Sequence, residues 1–408
     1  MQAGTARPRA ERVPQDGMPA FARAVNRHFY ESEAPEDTDP YLRAFATGYR
    51  AWWVRQGERV VANLGVIETD VSLPGGARLP VAAVTAVGVS QVMRRRGLLS
   101  ALMAASLDEA MEREEPVAAL YASESAIYGR YGFGIAAPHR AYRAERAKVR
   151  FVDPVDVRLV EETTPEAALA RWPALHERVR DMRGGSVGTT SGMWQLGVAE
   201  DPPGWRDGAT ARRLVEVPGR GYARYRVKPQ EESHYPEGLV LLGELVATDP
   251  EANAALWQHV LDIDLTTRVV SWIRPPDDAL AHLLVDPLAL HAFDGPPLYV
   301  RLLDVPRVLT ARAYRAAGTS VVEVVDPGGR AGGRWRLETD GTSATCDPSS
   351  AAPDVTLPID ALAGVVFGGI RTTALLDGRR LQEGRDGAAA ALDRLVATDR
   401  APWTTFMF

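Results

Sequence analysis

Between Val60 and Tyr131 the spacing of apolar residues switches from strand-like to helical and back, and this order constrains the fold more than any other feature. Val60-Val61-Ala62-Asn63-Leu64-Gly65-Val66-Ile67 reads as one strand, and the Val- and Ala-rich run from Leu79 to Val89 as a second. Pro74-Gly75-Gly76 between them is a turn signal, so an antiparallel pair is the simplest account. Gly88 inside the second strand predicts a bulge or a close backbone approach. After Arg94-Arg95-Arg96-Gly97, the residues Leu98, Leu99, Leu102, Met103, Leu107, Ala110 and Met111 recur at three- and four-residue spacing, a helix that Pro116 closes. Val117 to Tyr121 is a further strand, and Ser123 to Tyr131 a short helix opened by a Ser cap. The order β-β-(RRRG)-α-β-α describes an α/β domain with a mixed sheet.

A chain of 408 residues has room for two or three domains at roughly 150 residues each. Residues 1–17, polar and rich in Pro and Gly, read as a mobile arm, followed by a helix from Ala20 to Phe29. The acidic run Glu31 to Pro40 reads as a solvated loop. From Val155 a second α/β stretch begins, with a helix over Pro165–Arg183, the loop DPPGWRDG at 201–208, strands over Tyr222–Val227 and Leu239–Val246, and a helix near Pro250–Leu261. A boundary is expected at Asp294-Gly295-Pro296-Pro297. Beyond it come a helix over Val305–Tyr314, strands at 320–325, 333–339 and 354–357, and two helices before the tail TTFMF, an α+β domain.

Several classes of function are disfavoured. The single cysteine, Cys346, excludes an internal disulfide framework and a cysteine-based metal cluster. The seven histidines are scattered, and no ligand spacing predicts a metal site. The net charge of 47 − 53 = −6 disfavours bulk attraction to nucleic acid or an anionic membrane. No apolar run approaches the roughly 18–20 residues of a membrane span, and the N-terminus lacks a signal-like apolar segment, so a cytoplasmic protein is expected.

The feature that points to chemistry is strand, RRRG, helix. A glycine-bearing arginine loop at a helix N-terminus presents free N–H groups, a favourable dipole and forked cationic donors, which together suit a pyrophosphate. Gly97 permits close approach where a side chain would collide. Taken alone, RRRG is equally a basic surface loop.

In context, the hairpin, RRRGLL, the amphipathic helix, the strand and then Ser-Glu-Ser-Ala-Ile-Tyr-Gly-Arg-Tyr-Gly-Phe-Gly resemble the acyl-CoA-binding core of the Gcn5-related N-acetyltransferases. Arg94 and Gly97 fit that superfamily's loop, while Leu99 replaces its final small residue. The combination is similar to one branch, the enhanced intracellular survival acetyltransferases, which acetylate aminoglycosides and other amines. Tyr299-Val300-Arg301-Leu302-Leu303-Asp304-Val305-Pro306, Ala281-His282-Leu283-Leu284-Val285-Asp286 and the final Phe406-Met407-Phe408 extend the likeness along nearly the whole chain.

The resemblance implies two tandem GNAT-type domains, the second degenerate, and a sterol-carrier-protein-like α+β third, divided at 18–152, 153–296 and 297–408 and assembled as a homohexamer. It implies acetyl-CoA as co-substrate, held by the backbone of Val87 and Val89, by amides across Arg94, Arg95, Arg96, Gly97 and Leu98, and by Ser123. Tyr128 matches the family's general acid, with Tyr131 its near competitor. An unperturbed phenol lies roughly 1.5 units above a thiol, an uphill step of roughly 2 kcal/mol. The base would be the carboxylate of Phe408. Its reference value leaves a gap of ~5–6 units, roughly 7–8 kcal/mol, to an alkylammonium, which burial among aromatics would narrow. Glu31, Tyr41 and Trp194 match acceptor-binding positions, whereas Ala86 and Met407 replace an aromatic and an acid and should weaken cation binding. A different expectation follows from the third domain: an apolar-ligand carrier with a vestigial CoA site, although Leu357, Leu362, Val365, Val366 and Ile370 also suit a plain core. Acylation of protein lysines would share the chemistry.

Overall fold

The computed structural model describes residues 8–232 and 234–408. Its first third comprises β1 (Glu11–Arg12), α1 (Met18–His28), α2 (Pro35–Ala44), β2 (Tyr49–Gln56), β3 (Arg59–Ser72), β4 (Arg78–Val89), α3 (Leu98–Glu112), β5 (Val117–Tyr121), a 3-10 helix over Ser125–Tyr131 and β6 (Gly134–Glu145). The middle holds β7 (Glu161–Glu162), α4 (Pro165–Arg180), α5 (Ser191–Trp194), β8 (Arg213–Val217), β9 (Gly221–Lys228) and the small hairpin β10 (Glu231–Glu232) and β11 (Tyr235–Pro236). It continues with β12 (Gly238–Ala247), α6 (Pro250–Leu261), β13 (Thr266–Arg274), α7 (Leu280–Leu283) and β14 (Phe293–Leu302). The last third is α8 (Val305–Ala311), β15 (Ala317–Val325), β16 (Gly333–Asp340), β17 (Ala344–Pro348), β18 (Val355–Pro358), α9 (Ile359–Phe367), α10 (Thr372–Asp377), β19 (Gln382–Glu383) and α11 (Ala388–Val396).

The first two units share one twelve-stranded sheet, ordered β1-β2-β3-β4-β5-β14-β6-β13-β12-β9-β8-β7. The expected boundary at 294–297 lies inside β14, which inserts between β5 and β6 and pairs antiparallel with both. Leu298, Val300 and Leu302 of this strand are fully buried, so its apolar side chains make it sheet interior and not an exposed linker. The last third builds a separate five-stranded sheet, β17-β16-β15-β18-β19. Its helix α9, buried at every residue but Asp360, seats against β6. Leu357, Leu362, Val365 and Val366 sit in the core that this unit shares with Ile67, Val71, Leu298 and Val300, so the plain-core reading holds for these four.

Three further expectations change. Residues 1–7 lie outside the described residues, but the rest of the expected arm is pinned: Glu11 and Arg12 pair with Trp53 and Trp52, and the Val13 N–H donates to Ala51. Over half of the acidic run is helix α2 and not loop. Pro35 opens it, where its missing N–H costs nothing, and Glu36 and Asp37 complement the dipole in its first turn. Three helices, not two, follow the strand at 355–358. No helix among the described residues is long and apolar enough to cross a membrane.

Candidate active site

The cleft begins where two strands part. β4 and β5 run parallel only from Val81–Val117 to Val84–Leu120. Beyond Val84, β4 pairs with β3 alone, leaving its other edge open from Thr85 to Val89. The bulge expected near Gly88 is present as a register shift between Asn63 and Gly65, with Ala86 at φ +50°. Asn63, fully buried, holds it by donating Nδ2 to the Ala86 carbonyl at 2.5 Å, while its Oδ1 meets His28 Nδ1 at 2.5 Å. Gly88 lies so close to α1 that a Cβ there would come within 2.7 Å of His28 Cβ. The bulge turns the strand edge toward the gap, as bulges beside ligand sites commonly do.

This gap is a cavity of about 1300 Å³. Val87, Val89, Arg94, Arg95, Gly97, Leu98, Ser123, Tyr128 and Phe408 all line it. Gly97 takes a left-handed conformation (φ +78°) and no side chain caps α3, so the amides of the helix's first turn stay available. An open strand edge for amide pairing, followed by an uncapped helix start flanked by arginines, fits a pantetheine arm and its pyrophosphate. Arg96, between Arg95 and Gly97, is exposed and outside the lining. Ser123 is in the lining but caps nothing, because the 3-10 helix starts at Ser125 with Glu124 in the cap position and no side-chain bond there.

Tyr128 is buried in the cleft wall. Burial foremost, with Glu124 and Tyr131 nearby, pushes its phenol up to about 12. The competitor Tyr131 is bonded through its hydroxyl to Ser100 at 3.0 Å and lies under Arg130.

The C-terminus does not fray. Ala401 donates its N–H to Asp277 at 3.0 Å and accepts from Arg183 at 2.8 Å. Trp403 donates its N–H to the Gly184 carbonyl, and its ring lies 5.2 Å from the Arg274 guanidinium. Thr404 and Thr405 are almost completely buried; the first accepts from the Val187 amide and the second meets His176 Nε2 at 2.9 Å. All of these partners belong to the middle unit, which thus clamps the tail. The clamp delivers Phe408 into the cleft, its ring edge-on to Tyr121 with centroids 5.5 Å apart.

A second cavity, about 470 Å³, adjoins the first; Phe29, Thr85, Ala86, Met407 and Phe408 line both. Glu31 and Tyr41 line it as expected, but Trp194 does not. Trp194 is buried edge-on to His176 and Tyr222 in the core beside the tail. The tryptophan that reaches the cavity is Trp205, from the 201–208 loop, with its ring 4.8 Å from that of Tyr41. Phe29, Phe45, Arg212 and Arg224 also line it and were not singled out from the sequence. The aromatic Trp205 inside a Pro- and Gly-rich loop was the one local signal available.

Three models match the chain in order: "Acetyltransferase (GNAT) domain" at residues 9–136, a second of the same description at 185–302, and "Sterol carrier protein domain" at 305–405. An uncharacterized N-acetyltransferase of Streptomyces avermitilis is 37% identical, covering 87% of this chain and 88% of its own. N-acetyltransferase Eis of Mycobacterium tuberculosis (strain H37Ra) is 31% identical, covering 86% and 87%. The chain belongs to the Eis family of GNAT N-acetyltransferases. The crystal structure of Eis1 from Mycobacterium abscessus superposes on this Eis-family enzyme with a TM-score of 0.82 at 29% identity, covering 98% and 99% of the two chains. Two tandem acetyltransferase domains and a sterol-carrier-like third are therefore the architecture, and N-acetyl transfer is the activity.

Behind Phe408, the Tyr121 ring faces His139, which is buried and bonded through Nδ1 to the Pro296 carbonyl at 2.9 Å. Burial outweighs that bond and lowers the imidazole to about 4. The unfolded chain, near 6.5, binds the proton more readily, so this contribution is complete above pH 6.5 and is lost as pH falls toward 4. Between pH 7 and pH 5 the Eis-family enzyme should lose about 2 kcal/mol through His139. Denaturant unfolding at both pH values should show His139→Asn losing less than the parent, and equal losses would remove His139 as the cause.

Proposed function

We propose that this enzyme transfers the acetyl group of acetyl-CoA to a primary amine of a small molecule, polycationic aminoglycosides among the acceptors, with Tyr128 as general acid and the Phe408 carboxylate as general base. The observation that carries the reading is that Tyr128 and Phe408 line one cleft, at the point where β4 leaves β5. Acetyl-CoA supplies the thioester carbonyl; the open edge of β4 and the start of α3 hold the molecule that brings it.

The Phe408 carboxylate accepts the proton that the acceptor's ammonium must lose. The ring of Phe408 is held edge-on between those of Tyr121 and Phe406, which keeps this last residue in the cleft. Glu31 adds a second carboxylate to the acceptor cavity, and the Tyr41–Trp205 pair adds aromatic faces for an ammonium. Tyr128, firmly protonated, donates to the departing sulfur. With its phenol at about 12, against about 8.5 for a thiol, the uphill step grows to about 5 kcal/mol, more than an unperturbed tyrosine would face. Proton transfer concerted with C–S cleavage avoids that full separation.

Reaction in the cytoplasm and assembly as a homohexamer complete the proposal and rest on the resemblance. The test is thiol release from acetyl-CoA with kanamycin and simple alkylamines as acceptors. Tyr128→Phe should lower kcat by about 10²–10³-fold while acetyl-CoA binding is retained. An unchanged kcat would take the acid role from Tyr128, and no thiol release with any amine would end the reading.

A further inference from the structure

The wall of the acceptor cavity contributed by the middle unit is positively charged beyond what its own carboxylates neutralise. Arg212 and Arg224 line the cavity, and Arg206 and Arg226, outside the lining, share the neighbouring carboxylates Asp201 and Glu244 with them. Glu244 is taken by Arg224, with Nε 3.0 Å from Oε2. Asp201 is bonded to the Arg226 guanidinium and accepts the Arg212 backbone N–H at 2.9 Å, with Arg206 Nε at 3.6 Å. Glu200 is drawn away to Arg43 at 3.0 Å. Four guanidinium groups therefore meet two carboxylates.

The surplus is concentrated on Arg212. Its side chain makes one hydrogen bond, NH1 to the Glu200 carbonyl at 3.1 Å, and no carboxylate within salt-bridge distance among the described residues. It lines the cavity together with Glu31, Tyr41 and Trp205. Burial first, then repulsion from Arg224 and Arg226 against the attraction of Asp201, lowers its guanidinium to about 10. A guanidinium with free donors beside aromatic walls is suited to a planar carboxylate.

We infer that the preferred acceptor is amphoteric: a primary amine directed at the Phe408 carboxylate, an apolar body between the aromatic walls, and a carboxylate paired with Arg212. This rests on the amine-acetyltransfer reading and narrows its substrate class, since Arg212 offers a zwitterion a charge partner that a polycation cannot use.

Para-aminomethylbenzoate and its carboxamide differ only in the anionic group. Calorimetric titration of each into the full-length chain loaded with CoA reads the anchor, and thiol release from acetyl-CoA reads the transfer. The acid should bind at least about tenfold more tightly than the amide, as expected for a charge-assisted bidentate pair. Arg212→Gln, which can keep the bond to the Glu200 carbonyl, and Arg212→Met should both erase that preference while acetyl-CoA binding stays unchanged. Equal affinities in the parent, or a preference that survives both variants, overturns the anchor. A preference that depends on Arg212 without thiol release from any amine upholds the anchor and overturns the transfer reading.

Discussion

Appending a few residues after Phe408 abolishes acceptor acetylation, with turnover expected to fall by about 10²–10⁴-fold, while the fold and acetyl-CoA binding survive. The site explains both halves of this result. From Ala401 to Thr405 the tail is fixed by hydrogen bonds to the middle unit, so an extension leaves the clamp intact. Phe408 lies in both cavities, so added residues must enter one of them, and they convert the terminal carboxylate into a neutral amide. Removing Phe408 should be nearly as damaging, because the new terminus on Met407 ends one residue short of the Tyr121 ring. Steady-state thiol release, compared with a direct acetyl-CoA titration, separates the two effects. Undiminished turnover in the extended chain removes the C-terminus from the mechanism.

Asp326→Ala should destabilise the third unit by about 3–5 kcal/mol, because it strands a buried cation. Arg301, at the end of β14, and Asp326 are each about 1–2% exposed at their side chains, and they form an ion pair. Asp326 also accepts the N–H groups of Gly328, Arg330 and Ala331, so one carboxylate shapes its own turn and neutralises a strand of the other sheet. The guanidinium lies against Gly132 of the IYGRYGFG segment, which ties this pair to the loop carrying Tyr128. Denaturant unfolding should show the loss, and the double variant Arg301→Met/Asp326→Leu should recover most of it, since an apolar pair removes both charges together. A single variant as stable as the parent would contradict the assignment of the pair as the joint between the units.

The strands and helices around the cleft were legible in the sequence because their signals are local. Periodicity marked α3, β4 and β5 to within about a residue, β3 runs on past the expected Ile67 to Ser72, and Gly88 announced the bulge. Gly97 and the arginines before it announced the uncapped helix start. The family resemblance supplied Tyr128 and Phe408, whose roles no spacing rule could have given. Trp194 and Trp205 show where such reading ends. Both are tryptophans near a predicted loop, and only packing against Tyr222 buries one while packing against Tyr41 presents the other. Arg212 was invisible for the same reason: a counter-charge deficit depends on which carboxylates fold nearby and which are taken by other partners.

From the sequence alone came the α/β character of the first two units, the α+β character of the third, the phosphate-suited turn and an apolar C-terminal tail unsuited to solvent. Tertiary structure decided that β14 belongs to the sheet of the first unit, that the middle unit clamps the tail, and that an aromatic and arginine wall closes the acceptor cavity. The physical reason is range. Helix, strand and turn preferences are set by neighbours a few residues apart, whereas the burial of β14 depends on strands more than a hundred residues away. The unpartnered charge on Arg212 depends on groups from several separate elements, which only the folded chain brings together.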